Sequence, residues 1–222
     1  MRPAAIVFDL YGTLLRIDSL AAAAQAAGAS DPQRFVEAWR QKQIEYTWCA
    51  TLMDDYRDFD TLTARALDYT CGAFALTLDA GVRRQLAKAW LTVQPYDDVA
   101  PALKALRKRN VPLCVLTNGV RASAEQALHA GGIRDLLDDL LSVETVRAYK
   151  PDPRVYRLAT ARFGCDPERI LFVSSNGWDA SGAGAFGFAV AWCNRASRPA
   201  ETFGYPPLKT LRELGELMTL LT

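Results

Sequence analysis

The sequence predicts an α/β protein in which a parallel sheet is flanked by helices and the alternation is interrupted once, after the first strand, by a block of helices. Two observations carry the prediction. Short β-branched and apolar runs recur with helical patterns between them, and residues 18–93 contain four helical patterns but no comparable strand. A third observation gives the sheet a chemical edge: the apolar runs end in polar residues, where an open parallel sheet binds its ligands.

The first strand reads AIVFDL from Ala5, a continuous apolar run of the kind buried on both faces of a parallel sheet. The further strands are VPLCVLT (111–117), DLLSV (139–143), RILFVSS (169–175) and FAVAWCN (188–194). PALKALRKRN, ASAEQALHAGG, PRVYRLATARFG and DASGAGAFG lie between or beside them as helices, which calls for right-handed crossovers. In the interrupting block, DSLAAAAQAAG, DPQRFVEAWRQKQIEYTWCATL, FDTLTARALDYTCGAFAL and DAGVRRQLAKAWLTV read as four helices. The economical arrangement is a core domain of residues 1–15 and 97–222 with a helical cap of residues 16–96, hinged near 14–18 and 94–98.

The 222 residues are half apolar, enough for a substantial core. Lys plus Arg total 26 against 25 Asp plus Glu, so no net field draws nucleic acid or an anionic membrane to the whole surface, and a small-molecule partner is expected. The first apolar run is short and contains Asp9, unlike a secretory signal, and no stretch is long enough to span a bilayer. Five scattered cysteines form no CxxC pair, which argues against a disulfide framework and a zinc site and favours a cytoplasmic location. The single histidine, His129, reads as a helix-face residue and leaves no material for a His-based metal cluster.

Four places contribute polar groups to one sheet edge: Asp9 after the first strand, Thr117 and Asn118 after the second, Lys150 beyond the third, and Ser174, Ser175 and Asn176 at the end of RILFVSSN. Singly, each has a plain structural reading. Asp152 before Pro153 looks like an N-cap, Asp179 in NGWDASG equally so, Asn118-Gly119 suits a turn, Tyr11 suits a core aromatic, and Arg40 suits a solvated helix face. Together they describe a chemical site. Gly182, Gly184 and Gly187 match a GxGxxG spacing, but they lie within a helix rather than in the turn after a strand, so close helix packing accounts for them.

DLYGT, LTNG, YKPDP and SSNGWD resemble, in order, the four motifs of the haloacid dehalogenase superfamily. More narrowly, Tyr11, WRQKQIEYTW and SSNGWDASGA resemble the L-2-haloacid dehalogenases, and the likeness runs from about Ile6 to Asn194. The resemblance implies a Rossmann-like core of this superfamily with an inserted four-helix cap. It also implies hydrolysis of (S)-2-haloalkanoic acids to (R)-2-hydroxyalkanoic acids and halide through an aspartyl ester, without cofactor or metal. Phosphatases of the superfamily place a second Asp two residues after the nucleophile, because an alkoxide leaving group needs a proton. Halide leaves as a weak base, so a general acid at position 11 has nothing to do, and an aromatic side chain there, Tyr11, can instead wall the pocket and exclude water. SSNGWD likewise offers Asp179 but no further acid for magnesium, so the positive charge falls to Lys150 and Arg40.

Carried over by resemblance, Asp9 is the nucleophile, Arg40 and Asn118 hold halide, and Thr117, where the family usually has serine, binds the substrate carboxylate. Lys150 keeps Asp9 ionised and oriented, with Tyr156 and Ser174 in support; Asn176 and Asp179 hold the hydrolytic water; and Thr13 bonds near the nucleophile. Tyr11, Gln41, Phe59 and Trp178 are expected as pocket walls. A magnesium-dependent phosphatase or phosphonatase is the alternative enzyme, and a noncatalytic carboxylate-binding protein the alternative from another class. Family members are commonly homodimers; Trp39, Tyr46 and Trp48 suit either such an interface or packing within the cap.

Overall fold

The computed structural model describes residues 2–221. Six strands form one parallel sheet: β1 (Ala5–Phe8), β2 (Leu113–Thr117), β3 (Asp139–Ser142), β4 (Ile170–Ser174), β5 (Ala189–Cys193) and β6 (Lys209–Leu211). Their spatial order is β3-β2-β1-β4-β5-β6, which places β1 in the interior with Phe8 opposite Val115 on one side and Val173 on the other. Strands β1, β2 and β4 are buried along their whole length, as their uninterrupted apolar runs require. The order reverses on either side of β1, so the chain that leaves it emerges at a topological switch point, where such sheets bind ligands.

Among the described residues eight α-helices accompany the strands: α1 (Ala21–Ala26), α2 (Pro32–Leu52), α3 (Phe59–Ala73), α4 (Ala80–Lys88), α5 (Val99–Arg107), α6 (Arg121–Ala130), α7 (Pro153–Phe163) and α8 (Gly177–Phe186). The first four lie between β1 and β2, as the interrupted alternation predicts. Three of them start on an aspartate whose carboxylate takes up an otherwise unpaired amide: Asp31 from Arg34, Asp58 from Thr61, and Asp79 from Gly81 and Val82. Helix α2 packs along α3 through a buried seam that includes Phe35, Trp39 and Leu67. Trp39 is completely buried and donates its Nε1–H to the Thr63 carbonyl at 2.9 Å, so it packs inside the helical layer and is not available to a partner.

Strand β6 was not expected. It is three residues long, its first two side chains are exposed, and it follows a Gly- and Pro-containing stretch, so it carries neither a long apolar run nor an alternation. Strand β5 carries it, as Ala191 to Cys193 pair with Lys209 to Leu211.

The helical block is fastened over the carboxyl edge of the sheet. The Tyr149 amide donates to Thr51 Oγ1 at 3.0 Å, the Tyr149 hydroxyl to the Arg57 carbonyl, and Ser123 Oγ to Asp60 Oδ2 at 2.5 Å. Leu15 bridges antiparallel to Pro95, joining the two chain segments that lead into and out of the block.

Candidate active site

Asp9 is the residue after β1, and its amide still continues the sheet by donating to Val173 O at 2.9 Å. The side chain therefore projects from a fixed backbone at the centre of the carboxyl edge. The chain turns at once: Gly12 has φ +90°, a conformation that costs glycine little, and the turn returns Thr13 to Asp9, where its hydroxyl donates to Oδ2 at 2.8 Å. Thr13 Oγ1 in turn accepts from the Ser175 amide at 2.8 Å, tying the turn after β1 to the end of β4.

Lys150 is completely buried, a costly place for an ammonium group unless it is fully paired. All three of its N–H bonds have acceptors: Asp9 Oδ1 at 2.7 Å, Asp179 Oδ2 at 2.8 Å and the Leu116 carbonyl at 3.1 Å. Burial alone would lower its pKa, but the two carboxylates outweigh burial and hold it above the ordinary lysine value. Asp179 is raised, chiefly by burial and further by repulsion from Asp9, while Lys150 pulls against both.

Asp179 sits in the first turn of α8 with its side chain turned into the protein, so it does not act as a helix cap. It accepts from Tyr156 Oη at 2.8 Å and from Ser174 Oγ at 3.1 Å besides Lys150. Tyr156 and Ser174 thus support Asp179 directly and Lys150 only through it. Tyr156 is itself held well above the usual tyrosine pKa, by burial first and by the Asp179 charge second, and stays a donor at all working pH values. By contrast, Asp152 is the helix cap its sequence suggested, accepting from the Arg154 amide at 2.8 Å.

Asn176 occupies the N-cap position of α8 without capping it. Its Nδ2 instead donates to Asp9 Oδ2 at 2.8 Å and to the Tyr11 carbonyl at 3.1 Å. Asn118 Oδ1 accepts from the Lys150 amide at 2.9 Å, while its Nδ2 is buried with no partner among the described residues. A buried donor without an acceptor is expensive, and this one is open to an anion that enters the site. Thr117 is buried and its hydroxyl accepts from the Gly119 amide at 3.0 Å.

Tyr11 is buried in an aromatic wall, stacked on Phe59 with centroids 6.0 Å apart and edge-on to Trp90 at 5.4 Å. A cavity of about 170 Å³ adjoins these three rings. Arg40, next to Trp39 and one turn along α2 from Val36, reaches the Tyr11 carbonyl at 3.4 Å and lies 5.9 Å from the Trp90 ring centre. Burial pushes its guanidinium down to about 10, with Asp9 and Tyr11 opposing the fall, so it is charged at neutral pH.

One expectation needs correcting. Trp178 packs edge-on against Trp48 and lines a separate apolar groove with Leu52, Phe203 and Tyr205. Gln41 lines the outer cleft that also holds Arg40 and Asn176. Two residues escaped sequence reading. Gln43 is completely buried, accepts from Arg40 Nη1 at 2.6 Å and donates to Thr63 Oγ1 at 2.5 Å, so it sets the Arg40 rotamer; its only sequence signal was a polar residue three places on from Arg40. Trp90, with a buried Nε1–H that has no partner among the described residues, looked like an ordinary apolar residue at a helix end.

Comparison with known proteins bears on this arrangement. Residues 3–187 match the model of a hydrolase family described as haloacid dehalogenase-like hydrolase. The chain is 42% identical to (S)-2-haloacid dehalogenase H-109 of Pseudomonas putida over 96% of its own length and 95% of that protein. It is 39% identical to haloacetate dehalogenase H-2 of Moraxella sp. (strain B), covering 98% and 97% of the two chains. Its fold superposes on the L-2-haloacid dehalogenase of Xanthobacter autotrophicus with chloropropionic acid covalently bound, with a TM-score of 0.93, 33% identity, and coverage of 99% of this chain and 98% of that one.

Proposed function

The chain belongs to the haloacid dehalogenase-like hydrolases, and from that premise we propose that it is an (S)-2-haloacid dehalogenase that works through an ester on Asp9. The observation that carries the reading is the Asp9 environment: an ammonium on one oxygen, two neutral donors on the other, and an aromatic residue two places on where an alkoxide-releasing enzyme needs an acid. The covalent chloropropionate complex of the Xanthobacter protein supports an ester at the corresponding stage.

Asp9 Oδ2 accepts two hydrogen bonds and Oδ1 one among the described residues, so Oδ1 retains a lone pair for attack. In the first step that oxygen bonds to C2 of the haloacid as the carbon–halogen bond breaks, and the halide departs with the bonding pair, inverting the carbon. Arg40 and the free Nδ2 of Asn118 receive the halide, and Thr117 takes the substrate carboxylate. In the second step Asn176 and Asp179 direct a water at Cγ of Asp9. A carboxylate whose pKa burial has raised is a better base for the water's proton than a solvated one. As the tetrahedral adduct collapses, its hydroxyl proton passes to the departing oxygen and the Asp9 carboxylate re-forms with one oxygen from water; the (R)-2-hydroxy acid leaves with the oxygen that attacked it, and the proton held by Asp179 is released to solvent.

The helices of residues 16–96 serve as a cap: they supply Arg40, Gln43 and Phe59 and shield the nucleophile from bulk water, which would otherwise solvate it. The reaction needs no metal ion, because the charge between Asp9 and Asp179 is supplied by Lys150. Among the described residues no helix is long and apolar enough to cross a membrane, and we place the protein in the cytoplasm. A homodimer is proposed, as exposed apolar side chains including Leu52, Phe203 and Tyr205 flank one groove.

The test is a single turnover of (S)-2-chloropropionate in heavy-oxygen water with EDTA present. The label should enter the protein and not the lactate, and Asp9→Asn should release no chloride. Label in the product alone refutes the ester, activity that requires added magnesium favours the phosphatase reading, and binding without chloride release favours the noncatalytic one. Sedimentation analysis decides the dimer.

A further inference from the structure

Outside the aromatic pocket lies a larger cavity, about 590 Å³, between the outer face of α2, the turn after β1 and the loop that follows β5. Four arginines line it, Arg34 and Arg40 from α2 and Arg195 and Arg198 from the loop, against two acids, Asp18 and Glu37. Asp18 is already paired with Arg16 at 2.7 Å and Arg195 with Asp98 at 2.8 Å. The side chains of Arg34, Arg40 and Arg198 have no ion-pair partner among the described residues, which leaves Glu37 as the only uncompensated acid and a cleft with an excess of positive charge.

Arg195 adds an independent sign. It is anchored three ways, by Asp98, by the Thr13 carbonyl at 3.3 Å and by the Tyr96 ring at 4.2 Å, and yet its Nε–H is buried and without a partner among the described residues. A fixed guanidinium with one unused, desolvated donor is suited to an anion and costly without one. The inner end of the cavity is formed by Arg40 and Asn176, and Asn176 Nδ2 is the group that touches Asp9. One side chain therefore separates the cleft from the nucleophile.

We infer that this cleft is the anion passage of the enzyme, a vestibule that gathers a small monocarboxylate from solution, delivers it past Arg40, and returns the halide by the same route. The inference rests on the proposed reaction, whose substrate and both products are anions. Charge of one sign concentrated in a low-dielectric cleft raises the local anion concentration and is weakened by salt.

Arg34 and Arg198 are exposed and lie outside the catalytic set, so the double variant Arg34→Gln, Arg198→Gln removes charge without touching the site. For (S)-2-chloropropionate it should keep the wild-type kcat, lose kcat/KM by about threefold to tenfold at low ionic strength, and lose most of the decline that sodium sulfate produces in the wild type. A second readout needs no turnover: iodide quenching of tryptophan fluorescence should fall in the variant while quenching by neutral acrylamide stays the same. Wild-type kcat/KM, salt dependence and iodide quenching in the variant overturn the vestibule, as does an equal loss of acrylamide quenching, which marks altered structure. If the wild type releases no halide, the proposed reaction fails and the iodide arm alone decides the vestibule.

Discussion

Replacing Lys150 with methionine keeps the length and apolar stem of the side chain and removes the one cation shared by two buried carboxylates. At an effective dielectric of about 20, each contact near 2.7–2.8 Å represents roughly 6 kcal/mol of attraction before desolvation is counted. Desolvation offsets most of that in the wild type, but the variant leaves Asp9 and Asp179 unpaired, and loss of one partner from a buried pair costs about 3–5 kcal/mol. Against a total stability of about 5–15 kcal/mol, Lys150→Met should fold with a urea midpoint about 1–2 M lower at neutral pH.

The sign of the pH dependence is the sharper test. Lys150 has a raised pKa when folded, so in the wild type its contribution persists through the neutral range and is lost only as pH rises through that value. In the variant Asp179, already raised by burial, loses the cation that opposed the rise, so it binds a proton more readily folded than unfolded; stability should rise as pH falls from 8 to 5.5, and the gap to the wild type should narrow. Urea titrations followed by tryptophan fluorescence measure both. A loss under about 1 kcal/mol, or a loss equal at pH 5.5 and 8, would show that Lys150 does not neutralise this pair.

Three further outcomes are expected. Halide release should decline above about pH 10, because Arg40, brought down to about 10 by burial, loses its charge there; a profile flat to pH 11 removes Arg40 from halide binding. Asn118→Leu takes away the acceptor for the Lys150 amide and the free Nδ2 donor, and should reduce kcat by about a hundredfold, checked by steady-state chloride release. Gly182→Ala puts a methyl 2.5 Å from Pro151 Cβ and 2.6 Å from Tyr156 Oη, so it should cost about 1–3 kcal/mol and disturb the donor to Asp179, whereas a thermal midpoint equal to the wild type refutes the close packing.

How far the site could be read beforehand depended on the range of each interaction. Strands β1, β2 and β4 announce themselves as unbroken apolar runs, and the rule that ligands gather at their carboxyl ends then selects Asp9, Thr117, Asn118 and Ser174 without any coordinates. Lys150 joins the same edge by following β3, whereas Asp179, which lies within the next helix, required the resemblance as well. Gln43 and Trp90 were out of reach because their roles are set by tertiary partners: Gln43 by Thr63 on another helix, Trp90 by the ring of Tyr11. Trp178 failed for the converse reason. It adjoins Asn176 and Asp179 in sequence, but α8 turns it toward Trp48, on a different face from its neighbours.

Charge balance links these residues to one class of substrate. Asp9 and Asp179 bring two negative charges, Lys150 and Arg40 two positive ones, and every other partner of the Asp9 carboxylate is neutral. A 2-haloacid adds a single negative charge on its carboxylate, which displacement leaves in place; in the proposed reaction the charge that Asp9 loses on becoming an ester reappears on the halide that Arg40 receives, so the balance is kept. A phosphate monoester near neutral pH would add close to two, in a site where Lys150 already has all three donors engaged and Tyr11 stands where an acid would be. A divalent ion able to restore the balance would have to enter between Asp9 and Asp179, where the ammonium group bonds to both at 2.7 and 2.8 Å. A lysine with all its donors engaged at that position suits the proposed reaction, whose halide leaving group needs neither a metal nor a proton to depart.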